Sequence, residues 1–160
     1  MKNIFVVGAG TMGLDIARVF AERGMDVVVR DITDEIMENA AKKLDATLEK
    51  LVSRGKMSAE AAAELRGRIR FTVELSPAKD ADLVLEAIVE RADLKIGVFR
   101  ELDVLCRPEC VFCSNTSSIS ITQMAAASGR PDRFIGMHFF NPAPVMKLIE
   151  ITRSLTTSDE

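Results

Sequence analysis

Tryptophan and tyrosine are absent from this 160-residue chain, and its 5% of aromatic residues is all phenylalanine. Recognition of nucleic acid by base stacking needs exposed aromatic platforms, so that function class has little to stand on. No excess of one charge compensates. There are 21 basic and 24 acidic residues, a net charge of −3, which creates no field for polyanions or anionic lipid. Neither nucleic acid nor a membrane is therefore expected as a partner. Long apolar runs are also missing. Ile4–Val7 is too short for a secretion signal or a membrane span and reads as a strand. Cysteine is scarce: Cys106, Cys110 and Cys113 are an odd number with no leader segment, which argues against a disulfide framework and for a reducing, cytoplasmic setting. A structural zinc site would need a fourth ligand near them, so no metal is expected.

Hydrophobic residues make up 48% of the chain, enough to fill the core of one domain. Short β-branched runs at 2–7, 26–30, 69–73, 83–87 and 111–114 alternate with helical patterns, and 134–139 and 148–151 add two further strands. The first helix follows Gly10 and stops at Gly24. A long helix over 33–54 carries Met37, Ala40, Leu44, Leu48 and Leu51 on one face, and Gly55 ends it. Ser58 caps a shorter helix around 61–65, Ser76-Pro77 opens a brief helical turn, and Ser120 with Gln123 forms a capping box. Leu94, Val98, Leu102 and Leu105 mark another helix. The expected fold is α/β, a Rossmann-type, doubly wound, mostly parallel sheet with a helical-pair insertion after the second strand.

Gly8-Ala9-Gly10-Thr11-Met12-Gly13 is G-x-G-x-x-G, weak alone but here placed between a strand and a helix. Gly8 permits the tight turn, Gly10 admits a pyrophosphate against the backbone, and Gly13 lets the helix pack on the sheet. The helix N-terminus, with Thr11 and Met12 in its first turn, then offers free N–H groups to the phosphates. Asp31, at the end of the second strand, is placed to accept hydrogen bonds from both adenosine ribose hydroxyls and to repel a 2′-phosphate, which favours NAD. Arg30 beside it works in the opposite direction, since such a residue accommodates that phosphate.

Three later segments carry a family resemblance: Glu86-Ala87-Ile88-Val89-Glu90, Ser114-Asn115-Thr116-Ser117-Ser118, and Gly136-Met137-His138-Phe139-Phe140-Asn141-Pro142-Ala143-Pro144. With them the chain resembles the 3-hydroxyacyl-CoA dehydrogenases from its first strand to its last residue, and the bacterial 3-hydroxybutyryl-CoA group most. The resemblance implies NAD-dependent, reversible oxidation of a short-chain L-3-hydroxyacyl-CoA to the 3-ketoacyl-CoA, in fatty-acid or butanoate metabolism. It implies His138 as catalytic base, Glu150 as its partner, Ser117 on the reacting oxygen and Asn141 ordering the same pocket. It also implies Glu90, Lys95, Asn115 and Ser117 along the cofactor.

The residue chemistry agrees. Removing hydride from a secondary alcohol leaves a carbonyl only if the hydroxyl proton also leaves, which suits a group titrating near neutrality. His138 is the only histidine. Glu150 lies twelve residues on, in a returning strand whose apolar neighbours Leu148, Ile149 and Ile151 suggest burial. A buried glutamate needs a partner, and His138 is the obvious one. Lys50, Arg54 and Lys56 cluster at the end of the long helix. They read equally as a solvated face and as a site for the phosphates of coenzyme A, near which the resembled family binds its substrate nucleotide.

Ser158-Asp159-Glu160 has the character of a helix start. The expectation is a domain over 1–160 cut short of a helical second domain. In the resembled family that domain closes the substrate site, adds an asparagine and forms a homodimer, so this piece alone is expected to be weakly active or inactive. Two other readings stand beside the dehydrogenase: a non-catalytic NAD-binding module, and a scaffold that uses only the fold. A His138–Glu150 pair separates the first from both.

Overall fold

The computed structural model describes residues 1–159. Seven strands form one sheet in the order β3-β2-β1-β4-β5-β6-β7: β1 Asn3–Val7, β2 Asp26–Arg30, β3 Ile69–Thr72, β4 Leu83–Glu86, β5 Val111–Ser114, β6 Phe134–Phe139 and β7 Ile149–Arg153. The first six run parallel, and β7 returns antiparallel to β6. Five helices cover the faces: α1 Thr11–Glu22, α2 Asp34–Ser53, α3 Ala59–Gly67, α4 Ala92–Asp103 and α5 Ile121–Ala127. This is the doubly wound, Rossmann-type sheet with a helical pair after β2. The chain crosses from one side to the other between β1 and β4, the switch point where ligands of such sheets bind.

Strand alternation divides the interior into two cores. Ile4 and Val6 of β1, Val27 and Val29 of β2, and Leu83 and Leu85 of β4 pack with α1, α2 and α3. Phe5 and Val7, Val84 and Phe112 point to the opposite face, against Phe99 and Leu102 of α4 and Met124 of α5. There Phe99 meets the rings of Phe112 and Phe134 at 5.3 and 4.7 Å.

Several elements differ from the sequence reading. Leu75, not Ser76, precedes the short 3-10 turn over Ser76–Asp80. On α4 the buried face is Lys95, Phe99 and Leu102, while Leu94 and Leu105 are exposed. Leu102 is buried as the spacing suggests and Val98 packs half-buried against the core, while Lys95 takes a place that apolar spacing alone leaves out. β7 is exposed along its whole length, so Glu150 is not buried but 61% accessible. The edge strand has no layer packed over it, and its apolar neighbours are exposed with it. The helix start read at Ser158-Asp159-Glu160 runs past the described residues, which end at Asp159. Among the described residues no helix is long and apolar enough to cross a membrane.

Asp82 ties the first strand to the fourth. Its Oδ2 accepts the N–H of Lys2 at 2.6 Å and of Asn3 at 3.0 Å, and Oδ1 accepts from Arg107 at 2.8 Å. The two backbone donors, more than the guanidinium, pull its carboxyl down to about 2 from an ordinary 3.8. A depressed carboxyl stabilises the fold above its unfolded value, and that contribution is lost as pH falls through the folded one. Asp82→Asn should therefore cost about 1–2 kcal/mol at pH 7. The gap to wild type should close between pH 4 and 2 in thermal melts.

Candidate active site

The carboxyl ends of β1, β2, β4, β5 and β6 converge on one sheet edge, and a cleft of about 750 Å³ opens there between the glycine turn, Asp31 and α4. Its walls are largely apolar, with Ile32, Ile88, Val89, Leu94 and Val98 opposite Gly10, Thr11 and Met12. Leu94 and Val98 thus line the cleft; Leu94 is exposed there, while Val98 is half-buried and also packs against the core.

The glycine turn is built to leave one place empty. Gly8 has φ +106°, and a Cβ there would lie 2.6 Å from the Ala87 carbonyl oxygen. A Cβ on Gly13 would lie 1.9 Å from the Gly8 carbonyl oxygen, so the helix start is packed directly on the turn. Around Gly10 a Cβ meets nothing within 4 Å. No side chain caps α1 and no acidic residue stands in its first turn. α2, α3 and α5 are capped by Thr33, Ser58 and Ser120, and α4 has Asp93 in its first turn. The first N–H groups of α1 are left to an anion, and the space over Gly10 lets one approach. A dinucleotide diphosphate fits this cradle.

Asp31 does two things. Oδ2 accepts the Ala9 N–H at 2.7 Å, Oδ1 accepts the Ile32 N–H at 2.8 Å, and the side chain lines the cleft. The carboxylate that would receive ribose hydroxyls also holds the glycine turn. Arg30, also in the cleft wall, donates Nε–H to the Val73 carbonyl at 3.1 Å.

At the other end of the edge, β6 and β7 place His138 and Glu150 directly opposite each other. His138 Nδ1 lies 3.3 Å from Glu150 Oε2, and the imidazole, 21% accessible, stacks at a tilt on Phe140 at 4.7 Å. Asn115, at the tip of β5, accepts the Phe139 N–H on its Oδ1 at 2.8 Å and so locks the end of β6 beside it. Ser117 is exposed one turn further on, its N–H directed to Glu90 Oε1 at 3.3 Å. Asn141 is exposed in the loop after β6.

The structure brings Glu90, Asn115, Ser117 and His138 to the same edge as the cradle. It does not bring Lys95 to the surface. That side chain is 1% accessible, bonded to Glu86 at 2.6 Å and Glu90 at 3.1 Å. It supports Glu90 from within. Lys50, Arg54 and Lys56 are exposed around the end of α2, and none lines the cleft. Lys43, on the same face of α2, was not singled out in the sequence; its Nζ donates to Thr11 Oγ1 at 3.2 Å. The basic face thus starts at the cradle and reaches Arg54 roughly 16 Å further along the helix. Cys106, Cys110 and Cys113 are buried free thiols, and burial raises the Cys113 thiol. No group of three or more potential metal ligands occurs among the described residues.

Comparison with known proteins agrees with this geometry. A family model described as 3-hydroxyacyl-CoA dehydrogenase, NAD binding domain, matches residues 3–160. The chain is 48% identical over 155 residues to a probable 3-hydroxybutyryl-CoA dehydrogenase of Deinococcus radiodurans, covering 97% of this chain and 55% of that protein. It is 42% identical over 156 residues to a 3-hydroxybutyryl-CoA dehydrogenase of Clostridioides difficile, covering 98% and 56%. The crystal structure of (S)-3-hydroxybutyryl-CoA dehydrogenase from Ralstonia eutropha matches with a TM-score of 0.96 at 41% identity, over 99% of this chain and 56% of that one. The chain spans about half the length of the curated relatives it matches.

Proposed function

This chain belongs to the 3-hydroxyacyl-CoA dehydrogenase family as its NAD-binding domain, and we propose that it serves the oxidation of a short-chain L-3-hydroxyacyl-CoA, with His138 as the base. The observation that carries the proposal is the His138–Glu150 pair, at 3.3 Å on the sheet edge that also bears the uncapped helix start. A module that only binds NAD has no use for such a pair.

Gly10, Thr11 and Met12 hold the diphosphate, and Asp31 the adenosine ribose. Bound NAD supplies the hydride acceptor. His138 takes the hydroxyl proton on Nε2 while Nδ1–H points to Glu150, which fixes the tautomer and stabilises the imidazolium as charge develops. Ser117 donates its hydroxyl to the reacting oxygen, and Asn141 orders the loop beside it. Asn115 acts through the backbone of β6 and keeps His138 in register with Ser117. One alcohol and NAD⁺ give one ketone, NADH and a proton. NADH oxidation with acetoacetyl-CoA tests the reading; no turnover from the protein that carries this domain would refute it.

Substrate and partner readings concern the whole protein. The exposed apolar side chains Val145, Met146, Leu148, Ile149 and Ile151 lie next to His138 in sequence and on β7. They suit a further helical domain that would close the pocket and form a homodimer. Three thiols without a disulfide suit a cytoplasmic setting. For the CoA phosphates we assign Lys50, Arg54 and Lys56. Arg54→Ala is expected to weaken acyl-CoA binding about tenfold and to leave NADH binding unchanged in calorimetric titrations; equal loss of both ligands, or of neither, contradicts the assignment. Asp31→Ser is expected to narrow the preference for NADH over NADPH by about tenfold or more, since it removes the charge that repels a 2′-phosphate and leaves Arg30 in place. Paired dissociation constants check this.

A further inference from the structure

Glu86 is the only carboxylate among the buried polar residues described, with 0% accessibility. Strand alternation turns it to the α4 face of β4, where three donors converge on it. Lys95 Nζ and the Ile88 N–H reach Oε1 at 2.6 and 2.7 Å, and the Ser114 hydroxyl reaches Oε2 at 2.6 Å. Ser114 Oγ in turn accepts the Thr116 N–H at 3.3 Å, so its own proton is directed to Glu86. Every contact of Glu86 is a donor, and the group is a carboxylate.

Lys95 stands between this carboxylate and a second one. Its Nζ lies 3.1 Å from Glu90 Oε2 and 3.4 Å from the Ile88 carbonyl, so with Glu86 all three ammonium donors are used. Glu90 is 43% accessible, and its Oε1 receives the Thr116 hydroxyl, the Ser117 N–H and the Ser118 hydroxyl. Burial raises its carboxyl, but Thr116, Lys95 and Ser117 together outweigh that and hold it below the usual range. Two carboxylates therefore share one ammonium. A buried lysine needs one counterion, and Glu90 already lies within ion-pair distance. The second carboxylate is in excess of what pairing requires, and buried charge is not a cheap way to fill a core.

We propose that Glu86, Lys95 and Glu90 act as one charge unit that leaves a single net negative charge at the tips of β4 and β5, and so favours the oxidised, cationic nicotinamide over the reduced, neutral one. Glu86 is a positioning residue in this unit: it acts through Lys95 on Glu90 and never meets the cofactor. The inference rests on the NAD reading above, with the nicotinamide end beside Ser117 and His138.

The test is the ratio of dissociation constants, NAD⁺ over NADH, measured by calorimetry on the same chain. Glu86→Gln preserves shape and removes the charge. It should raise the ratio about tenfold, the effect of one unit charge facing a cation in a partly buried cleft. Glu90→Gln, at an accessible position, should move it in the same direction. Adding Lys95→Met to Glu86→Gln restores the unit to one net negative charge and should bring the ratio back to within about threefold of wild type. A structural lesion would weaken both cofactor forms alike, and a second lesion would add to the first. Equal weakening in Glu86→Gln and Glu90→Gln, or a ratio that departs further in the double variant, overturns the proposal. If Glu86→Gln does not fold, Glu90→Gln and the double variant decide. A wild-type chain that binds neither form removes the NAD reading and this proposal together; binding of both forms with a ratio indifferent to these charges removes the proposal alone.

Discussion

Replacing His138 with asparagine is expected to lower the rate of NADH oxidation with acetoacetyl-CoA by about 10³-fold, within the range that a positioned acid–base group supplies, and to leave the NADH dissociation constant within about twofold of wild type, because no diphosphate contact is touched. Asparagine keeps a polar side chain of similar reach but cannot carry the proton. Glu150→Gln should follow with a smaller loss, because its carboxylate is 61% accessible and water screens its hold on the imidazolium. The chain contains no other histidine. Residual turnover near the wild-type level in His138→Asn would assign the proton to another group and end the mechanism. The assay is stopped-flow absorbance at saturating NADH, on the protein that carries this domain.

The glycine turn gives the second large effect, and two neighbouring positions are expected to fail differently. A methyl group on Gly13 would sit 1.9 Å from the Gly8 carbonyl oxygen, backbone against backbone. Gly13→Ala must push α1 off the turn and should destabilise the fold by about 3 kcal/mol, the upper end for overpacking. A methyl group on Gly10 meets no atom within 4 Å. Gly10→Ala should leave the melting temperature where it is and weaken NADH binding by about 10²-fold or more, since the methyl occupies the volume through which the diphosphate reaches the backbone. Thermal melts beside NADH titrations separate the two. Unaltered binding in a stable Gly10→Ala would mean that nothing docks over this helix start.

Much of this was legible before any coordinates. The strand–glycine–helix order fixes the cradle, because only one backbone path joins a parallel strand to the helix above it. Asp31 follows from its distance from the glycines, and His138 with Glu150 from the resemblance and the returning strand. The charge cluster behind them was not legible in the same way. Lys95 and Glu86 sit where hydrophobic periodicity anticipates Leu or Val, so a pattern of apolar residues leaves both out of the core. Two signals were present. Glu86 shares parity with Val84 in β4, and Lys95 lies four residues before Phe99 on α4. Together they place an acid and a base on facing surfaces. The exposure of Glu150 was hidden for another reason. An apolar strand reads as buried whether or not a layer covers it, and a single sequence does not say where the covering layer ends.

The single histidine makes a direct measurement possible. The central claim is that the nicotinamide end of a dinucleotide bound at the helix start of α1 lies beside His138. Proton NMR of the imidazole follows one resolvable signal. Titration with NADH should move it in a saturable way, at the dissociation constant found by calorimetry, while ADP, which fills only the adenosine end, should leave it in place. An imidazole signal that ignores NADH at saturating occupancy, or that responds to ADP as it does to NADH, would contradict the account.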